Sequence, residues 1–156
     1  MHLLRRTFLN NFGTAGALSF AVTVGLLKPG KVLAAEWNKT AFDSTNIAEA
    51  LKNTGGIDAT ESKDILLKAP ESPVYGLAVQ LEVTSKIPGT TSIAVFVERG
   101  LSPLVADCVL SEGAEPYMLI RTKMEETSRI RAQVKAGGKT YFATKNVIIL
   151  PPVSCC

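Results

Sequence analysis

Residues 129–145 read RIRAQVKAGGKTYFATK. Before the paired glycines, Ile130, Ala132, Val134 and Ala136 alternate with Arg129, Arg131, Gln133 and Lys135. That period of two is the pattern of a half-buried strand. After them, KTYFATK is rich in the β-branched and aromatic residues that strands favour. Gly137-Gly138 suits a two-residue hairpin loop, whose central positions need positive φ. The stretch therefore predicts two antiparallel strands joined by a tight turn.

The same reading extends outward in both directions. YGLAVQLEVT (75–84) sets Leu77, Val79, Leu81 and Val83 against smaller or polar neighbours. SIAVFVE (92–98), LVADCVL (104–110), YMLIRTKM (117–124) and NVIIL (146–150) add further strand-like runs separated by turn clusters, among them Pro88-Gly89. Seven or eight short strands at spacings near ten residues predict an all-β chain, an immunoglobulin-like antiparallel β-sandwich. Ahead of them, NKTAFDSTNIAEALKNTGG (38–56) carries Ala41, Phe42, Ile47, Ala48 and Leu51 at near-helical spacing. Asp43 or Ser44 is the expected cap and Gly55-Gly56 the expected stop of one N-terminal helix. The six residues after Leu150 are expected to form a flexible C-terminal arm.

The first 35 residues read as an export signal. Arg5 and Arg6 precede an apolar stretch from Phe12 to Leu27, followed by the small-residue exit KPGKVLAA (28–35). That stretch is short for a membrane span and contains Gly13, Gly16 and Gly25, although an uncleaved anchor is the alternative. RRTFL (5–9) resembles the twin-arginine motif for folded cargo, with Leu4 and Asn10 standing where Ser or Thr and Lys are usual. Cleavage is expected after Ala34 or Ala35. The organisation is thus a signal at 1–35, a sandwich domain at 36–150 and an arm at 151–156.

Removing the signal reverses the charge balance. Of 17 basic residues, Arg5, Arg6, Lys28 and Lys31 leave with it, so 13 face 14 acidic ones and the formal net charge becomes −1. The apparent basicity therefore gives no reason to expect a nucleic-acid partner. A cluster of Arg121, Lys123, Arg129, Arg131, Lys135 and Lys139 is expected on one solvent face of paired strands. The only histidine, His2, also lies in the signal. Without imidazole, Ser-His-Asp or Cys-His catalysis and histidine-dependent zinc sites are excluded from the mature chain. No phosphate-loop or dinucleotide fingerprint is present. Neither a catalytic residue, a cofactor nor a resident metal is expected, and no membrane contact after cleavage.

The chemistry concentrates in three cysteines, Cys108, Cys155 and Cys156. An odd number in an exported chain leaves at least one thiol unpaired within the monomer. Cys108 lies in a strand pattern and is expected to be a buried, inert thiol. Cys155 and Cys156 follow Pro151-Pro152-Val153-Ser154, beyond any strand. Adjacent Cα atoms lie ~3.8 Å apart, whereas disulfides favour roughly 4.4–6.8 Å, so a bond between the two is strained. A bond to Cys108 requires that residue to be exposed. Intermolecular or covalent chemistry on an exposed thiol is the favoured use. Cys156 bears the terminal carboxylate, which disfavours its thiolate relative to that of Cys155. With no cationic neighbour in sequence, both read as handles on which other proteins act.

Several stretches together carry a family resemblance: RRTFL (5–9), AAEWN (34–38), ESKDILLKAP (61–70), EVTSKIPGTTSIAVFVE (82–98), GAEPYMLIRTKMEETS (113–128) and VKAGGKTYFATKNV (134–147). In this order they resemble SoxY, the sulfur-carrier subunit of the periplasmic thiosulfate-oxidising system. The resemblance implies an immunoglobulin-like sandwich, a heterodimer with a SoxZ-like subunit, and covalent substrate attachment to a tail cysteine. It also implies three working partners: a haem-containing loading enzyme, a sulfate-releasing hydrolase and a sulfur dehydrogenase. In the family the last strand runs into Gly-Gly-Cys-Gly-Gly, which matches Cys155 to the carrier cysteine. Here Pro151, Pro152, Val153 and Ser154 replace glycines, and Cys156 stands where a glycine follows. Two other readings remain open: an exported interaction module using its tail thiols for intermolecular disulfides or redox sensing, and capture of a soft metal such as Cu(I).

Overall fold

The computed structural model describes residues 37–73, 78–100 and 102–150. The expected signal (1–35) and arm (151–156) lie outside them.

Two short helices, α1 (Lys39–Phe42) and α2 (Ile47–Asn53), precede eight strands. These are β1 (Thr60–Glu61), β2 (Ile65–Lys68), β3 (Val79–Ser85), β4 (Thr90–Val97), β5 (Leu104–Val109), β6 (Tyr117–Thr122), β7 (Ser128–Ala136) and β8 (Lys139–Val147). A five-stranded sheet in the order β1-β8-β7-β4-β5 faces a three-stranded sheet in the order β2-β3-β6. The expected sandwich is what forms, with every pairing antiparallel except the two-residue contact of β1 with β8.

The quoted hairpin sets the register of the larger sheet. Gly137 and Gly138 both take positive φ (54° and 74°), so Ala136 pairs directly with Lys139 and Val134 with Tyr141. Ile130, Ala132 and Val134 then point between the sheets, where they meet Ile93, Val95 and Val97 of β4 and Val79, Leu81 and Val83 of β3. KTYFATK and the start of NVIIL form one continuous strand rather than two, because nothing between Lys145 and Val147 interrupts the pairing with β7. Pro88-Gly89 turns the chain from β3 in one sheet to β4 in the other, with Gly89 at φ 70°.

β4 is buried on both faces. Its outer residues Ala94 and Phe96 pack under the helices with Ala41, Ala50 and Leu104. The single helix expected from periodicity is broken in two. Asn38 caps α1 by accepting from the Ala41 N–H (3.2 Å), and Asn46 caps α2 by accepting from the Glu49 N–H (2.8 Å). Asp43 instead ends α1, and the buried Ser44 hydroxyl donates to the Thr40 carbonyl. The break rotates the apolar stripe, so Ala50 is buried while Ala48 is exposed. Gly55, at φ 69°, ends α2 as expected.

Candidate functional site

The cysteine-bearing tail starts where β8 ends. Val147 is fully buried, and the next two residues are tied down from opposite directions. The Ile148 N–H donates to the Glu71 carbonyl (2.9 Å), and the Ile149 N–H donates to the Thr127 hydroxyl (3.1 Å). Ile148 and Leu150 nonetheless present exposed side chains, 52% and 44% accessible. The anchored root thus ends within one residue of Pro151. Cys155 and Cys156 themselves lie outside the described residues.

Beside the root is a groove of about 400 Å³ lined by Glu98, Arg99, Thr127, Arg129, Asn146 and Ile148, with Ser128 at its floor. Arg129 Nε donates to Glu98 Oε1 at 2.7 Å, and this bond with the carboxylate raises the Arg129 pKa further. A larger cleft of about 510 Å³ lies at the other end of the sandwich, between the β3–β4 and β5–β6 loops, and includes Lys86, Pro88 and Glu112. Within it the Ser85 and Thr90 hydroxyls bond to each other at 2.8 Å, and Thr90 donates to the Ile87 carbonyl at 2.7 Å. No group of three or more potential ligands capable of holding a metal ion occurs among the described residues. Nor is any described helix long and apolar enough to cross a membrane.

Two sequence expectations are corrected here. Cys108 is exposed, not buried. It shares the inward face with its partner Ile93, but β5 is an edge strand of a five-stranded sheet whose companion sheet has only three. Alternation assigns a side chain to a face; it does not say whether anything covers that face. Cys108 is thus open to another thiol, and its distance from the end of β8 decides whether the tail can reach it. Cys108 lies three strands across from β8, level with Tyr141, six residues before Val147. That is about 25 Å, from ~3.4 Å per residue along a strand and ~4.8 Å between strands. Eight residues from Val147 to Cys155 span at most about 26–29 Å. An intramolecular disulfide would need the whole tail drawn straight back across the sheet.

The basic cluster is likewise not one solvent face. Arg121 belongs to β6 in the three-stranded sheet, and Lys123 pairs with Glu125 at 2.8 Å. Arg129, Arg131 and Lys135 lie on β7, and Lys139 opens β8. Arg131 is half-buried: its guanidinium sits 3.9 Å from the centre of the Phe142 ring and donates to the Gly56 carbonyl at 3.0 Å. Burial lowers its pKa, with Glu98 opposing and Arg129 assisting the shift. Its charge serves the attachment of the helical layer.

The fold is an immunoglobulin-like β-sandwich with an exposed cysteine on a sheet edge. Residues 51–151 match the family described as sulfur oxidation protein SoxY, and the chain belongs to that family. The structure of the sulfur carrier protein SoxY from Chlorobium limicola f thiosulfatophilum is similar at a TM-score of 0.62 and 32% identity, covering 68% of this chain and 97% of that one. A putative superoxide reductase from Thermotoga maritima shares the fold at a TM-score of 0.51 and 17% identity, covering 60% and 95% of the two chains. A superoxide reductase (neelaredoxin) variant from Ignicoccus hospitalis does so at 0.50 and 13%, covering 64% and 87%. At such identities these two bear on fold alone. No curated protein matches the chain.

Proposed function

We propose that this chain is a sulfur carrier in thiosulfate oxidation, holding intermediates covalently on Cys155 or Cys156 while partner enzymes act on them. The observation that carries the reading is family membership over 51–151 together with a thiol pair placed just beyond an anchored final strand. Cys155 is the attachment residue by its position after β8. The haem-containing partner loads it: the thiolate and thiosulfate join through a new S–S bond, and two electrons pass to the haem enzyme. The hydrolase then adds water across the S–SO₃ bond, releasing hydrogen sulfate and leaving a persulfide. The dehydrogenase then takes electrons from that remaining sulfur into its own redox centre while water supplies the oxygen that is added. The chain acts as the substrate of these enzymes and performs no catalysis itself.

The chain works in the periplasm, reached by the twin-arginine route, in a heterodimer with a SoxZ-like subunit that has no signal of its own. A folded-cargo route would let the partner cross already bound. The departure from a glycine tail changes handling, not reach. Five residues from Leu150 to Cys155 still span up to about 17 Å, but two prolines stiffen the first part.

Intact and peptide mass spectrometry of protein isolated from thiosulfate-grown cells tests the reading. A thiosulfonate or persulfide adduct on residues 155–156 is the expected result. Tail thiols found only in mixed disulfides, or holding a metal, would overturn it.

A further inference from the structure

The described strands leave four sheet edges: β1 and β5 in the larger sheet, β2 and β6 in the smaller. Natural sheets keep edges from pairing with other chains by shortness or by basic residues. β1 has two residues, β2 carries Lys68 and β6 carries Arg121. β5 has neither protection; its one device is a bulge at Val105, between the pairs Phe96–Leu104 and Val95–Ala106, and it is regular from Ala106 to Val109. Its six residues, LVADCV, contain no basic side chain and a single charge, Asp107.

The hydrogen-bond phase of this edge follows from one contact. The Leu110 N–H donates to the Thr91 carbonyl at 2.9 Å, so every second pair from there, including Ile93–Cys108, exchanges bonds with β4. The backbone groups of Asp107 and Val109 therefore face away from the sheet. The Cys108 sulfur lies 3.8 Å from the Val109 carbonyl oxygen, and the Val109 side chain is 62% exposed.

We propose that β5 pairs with β5 of a second copy of this chain in an antiparallel two-fold ladder centred on Cys108, and that oxidation joins the two Cys108 sulfurs. In that register Asp107 of each copy exchanges both backbone hydrogen bonds with Val109 of the other, satisfying the outward groups. Cys108 meets its copy as a non-hydrogen-bonded pair, with Cα atoms about 4.5 Å apart. Disulfides occupy roughly 4.4–6.8 Å, so the pair lies at the short end of that range and a small parting of the strands closes the bond. Centring the ladder on Asp107 instead would set two carboxylates opposite each other, which is destabilising. Centring it on Val109 would part the thiols to about 8 Å, from the strand spacings.

The oxidant is a small disulfide such as oxidised glutathione. Two protein thiols become one disulfide, and their two electrons and two protons convert one glutathione disulfide into two glutathione thiols. The inference goes beyond the carrier reading and stands without it.

The test uses the full chain carrying Cys155→Ser and Cys156→Ser, so that Cys108 is the remaining thiol. Oxidised glutathione should yield a covalent dimer, with Cys108 linked to Cys108 in the peptide map. A second variant in that background, Cys108→Ser with Thr45→Cys, moves the thiol to an exposed position off the β5 edge. That variant should dimerise at least about tenfold more slowly, the mark of pairing at the β5 edge rather than random collision. Capping of Cys108 by glutathione without dimer, or equal dimerisation rates for the two variants, would overturn the proposal.

Discussion

Gln133, at the centre of β7, donates its side-chain amide to the Thr54 carbonyl beyond the end of α2 at 3.2 Å. It is 1% exposed, and its Oε1 has no partner among the described residues. A helix end leaves carbonyls in need of donors, which gives a polar side chain a reason to sit in the middle of a sheet. Gly56 passes directly over this amide, where an added Cβ would overlap Gln133 Oε1. Gly56→Ala should therefore displace the α2–sheet junction and cost about 1–3 kcal/mol in urea unfolding. Gln133→Met removes the unsatisfied acceptor but leaves the buried Thr54 carbonyl without its donor, so it should cost about 1–3 kcal/mol.

Asn46 supplies a second stability test. Its side chain is the N-cap of α2, and Asn46→Ala should cost about 1 kcal/mol. Asp43→Ala, at the position expected from sequence to cap a single helix, should cost less, because Asp43 follows α1 and its backbone N–H makes the bond to the Lys39 carbonyl. Thermal unfolding of the two variants separates the observed helix break from the helix that periodicity predicts.

These residues mark how far the sequence could be read. The Gly137-Gly138 hairpin was legible because its two positive-φ positions and the alternation around them depend only on neighbouring residues. The sheet order and the sandwich partners depend on distant pairings, and β1 and β2 are too short for a period to show. Ala48 and Ala50 could not be told apart until the break at Asp43–Asn46 fixed the rotation of α2. Cys108 was misread for a different reason: its alternation was right, but the width of the opposing sheet decides whether an inward side chain is covered. The tail thiols were conspicuous as residues, while the anchoring of their root by Glu71 and Thr127 had no sequence signal.

Asp107 gives a pH test at the β5 edge. Burial pushes its carboxyl above the ordinary range, with Lys135 opposing. A raised folded-state pKa means that the folded protein holds the proton more tightly than the unfolded chain. Stability therefore falls as pH rises from the ordinary value of 3.8 through the folded-state pKa, and that penalty persists to neutrality. Asp107→Asn should flatten this part of the stability–pH curve and be slightly more stable at pH 7. The residue remains in contact with solvent, so the effect should be small. Denaturant midpoints between pH 3 and pH 7, from about one pH unit below the ordinary carboxylate range upward, measure it.

Tail stiffness should set how quickly partner enzymes handle the carrier. Pro151-Pro152 favours an extended polyproline course, whereas glycines in the family tail present no side chains to a narrow entrance. Replacing residues 151–154 with four glycines should raise kcat/KM for tail processing several-fold in a system reconstituted with the loading enzyme and hydrolase. The reaction of the tail thiols with a small disulfide reagent should change little, since that reagent needs no threading. An unchanged kcat/KM would show that the prolines are neutral to docking.

On the proposed carrier reading, the distances of the two tail thiols from the anchored strand predict which one would carry sulfur. Val147 is the last residue of β8, and Cys155 stands eight positions beyond it, where the family pattern places its carrier cysteine. Cys156 occupies a position that is glycine in that pattern. Cys155→Ser should abolish enzymatic loading with thiosulfate, read as loss of the thiosulfonate adduct by mass spectrometry. Cys156→Ser should retain loading, and should also remove the adjacent thiol whose attack on the Cys155 sulfur would release thiosulfate and close a vicinal disulfide. The Cys156→Ser adduct should therefore last longer than the parent one when the loading enzyme is withdrawn. Loading that survives Cys155→Ser and disappears with Cys156→Ser would reverse the assignment.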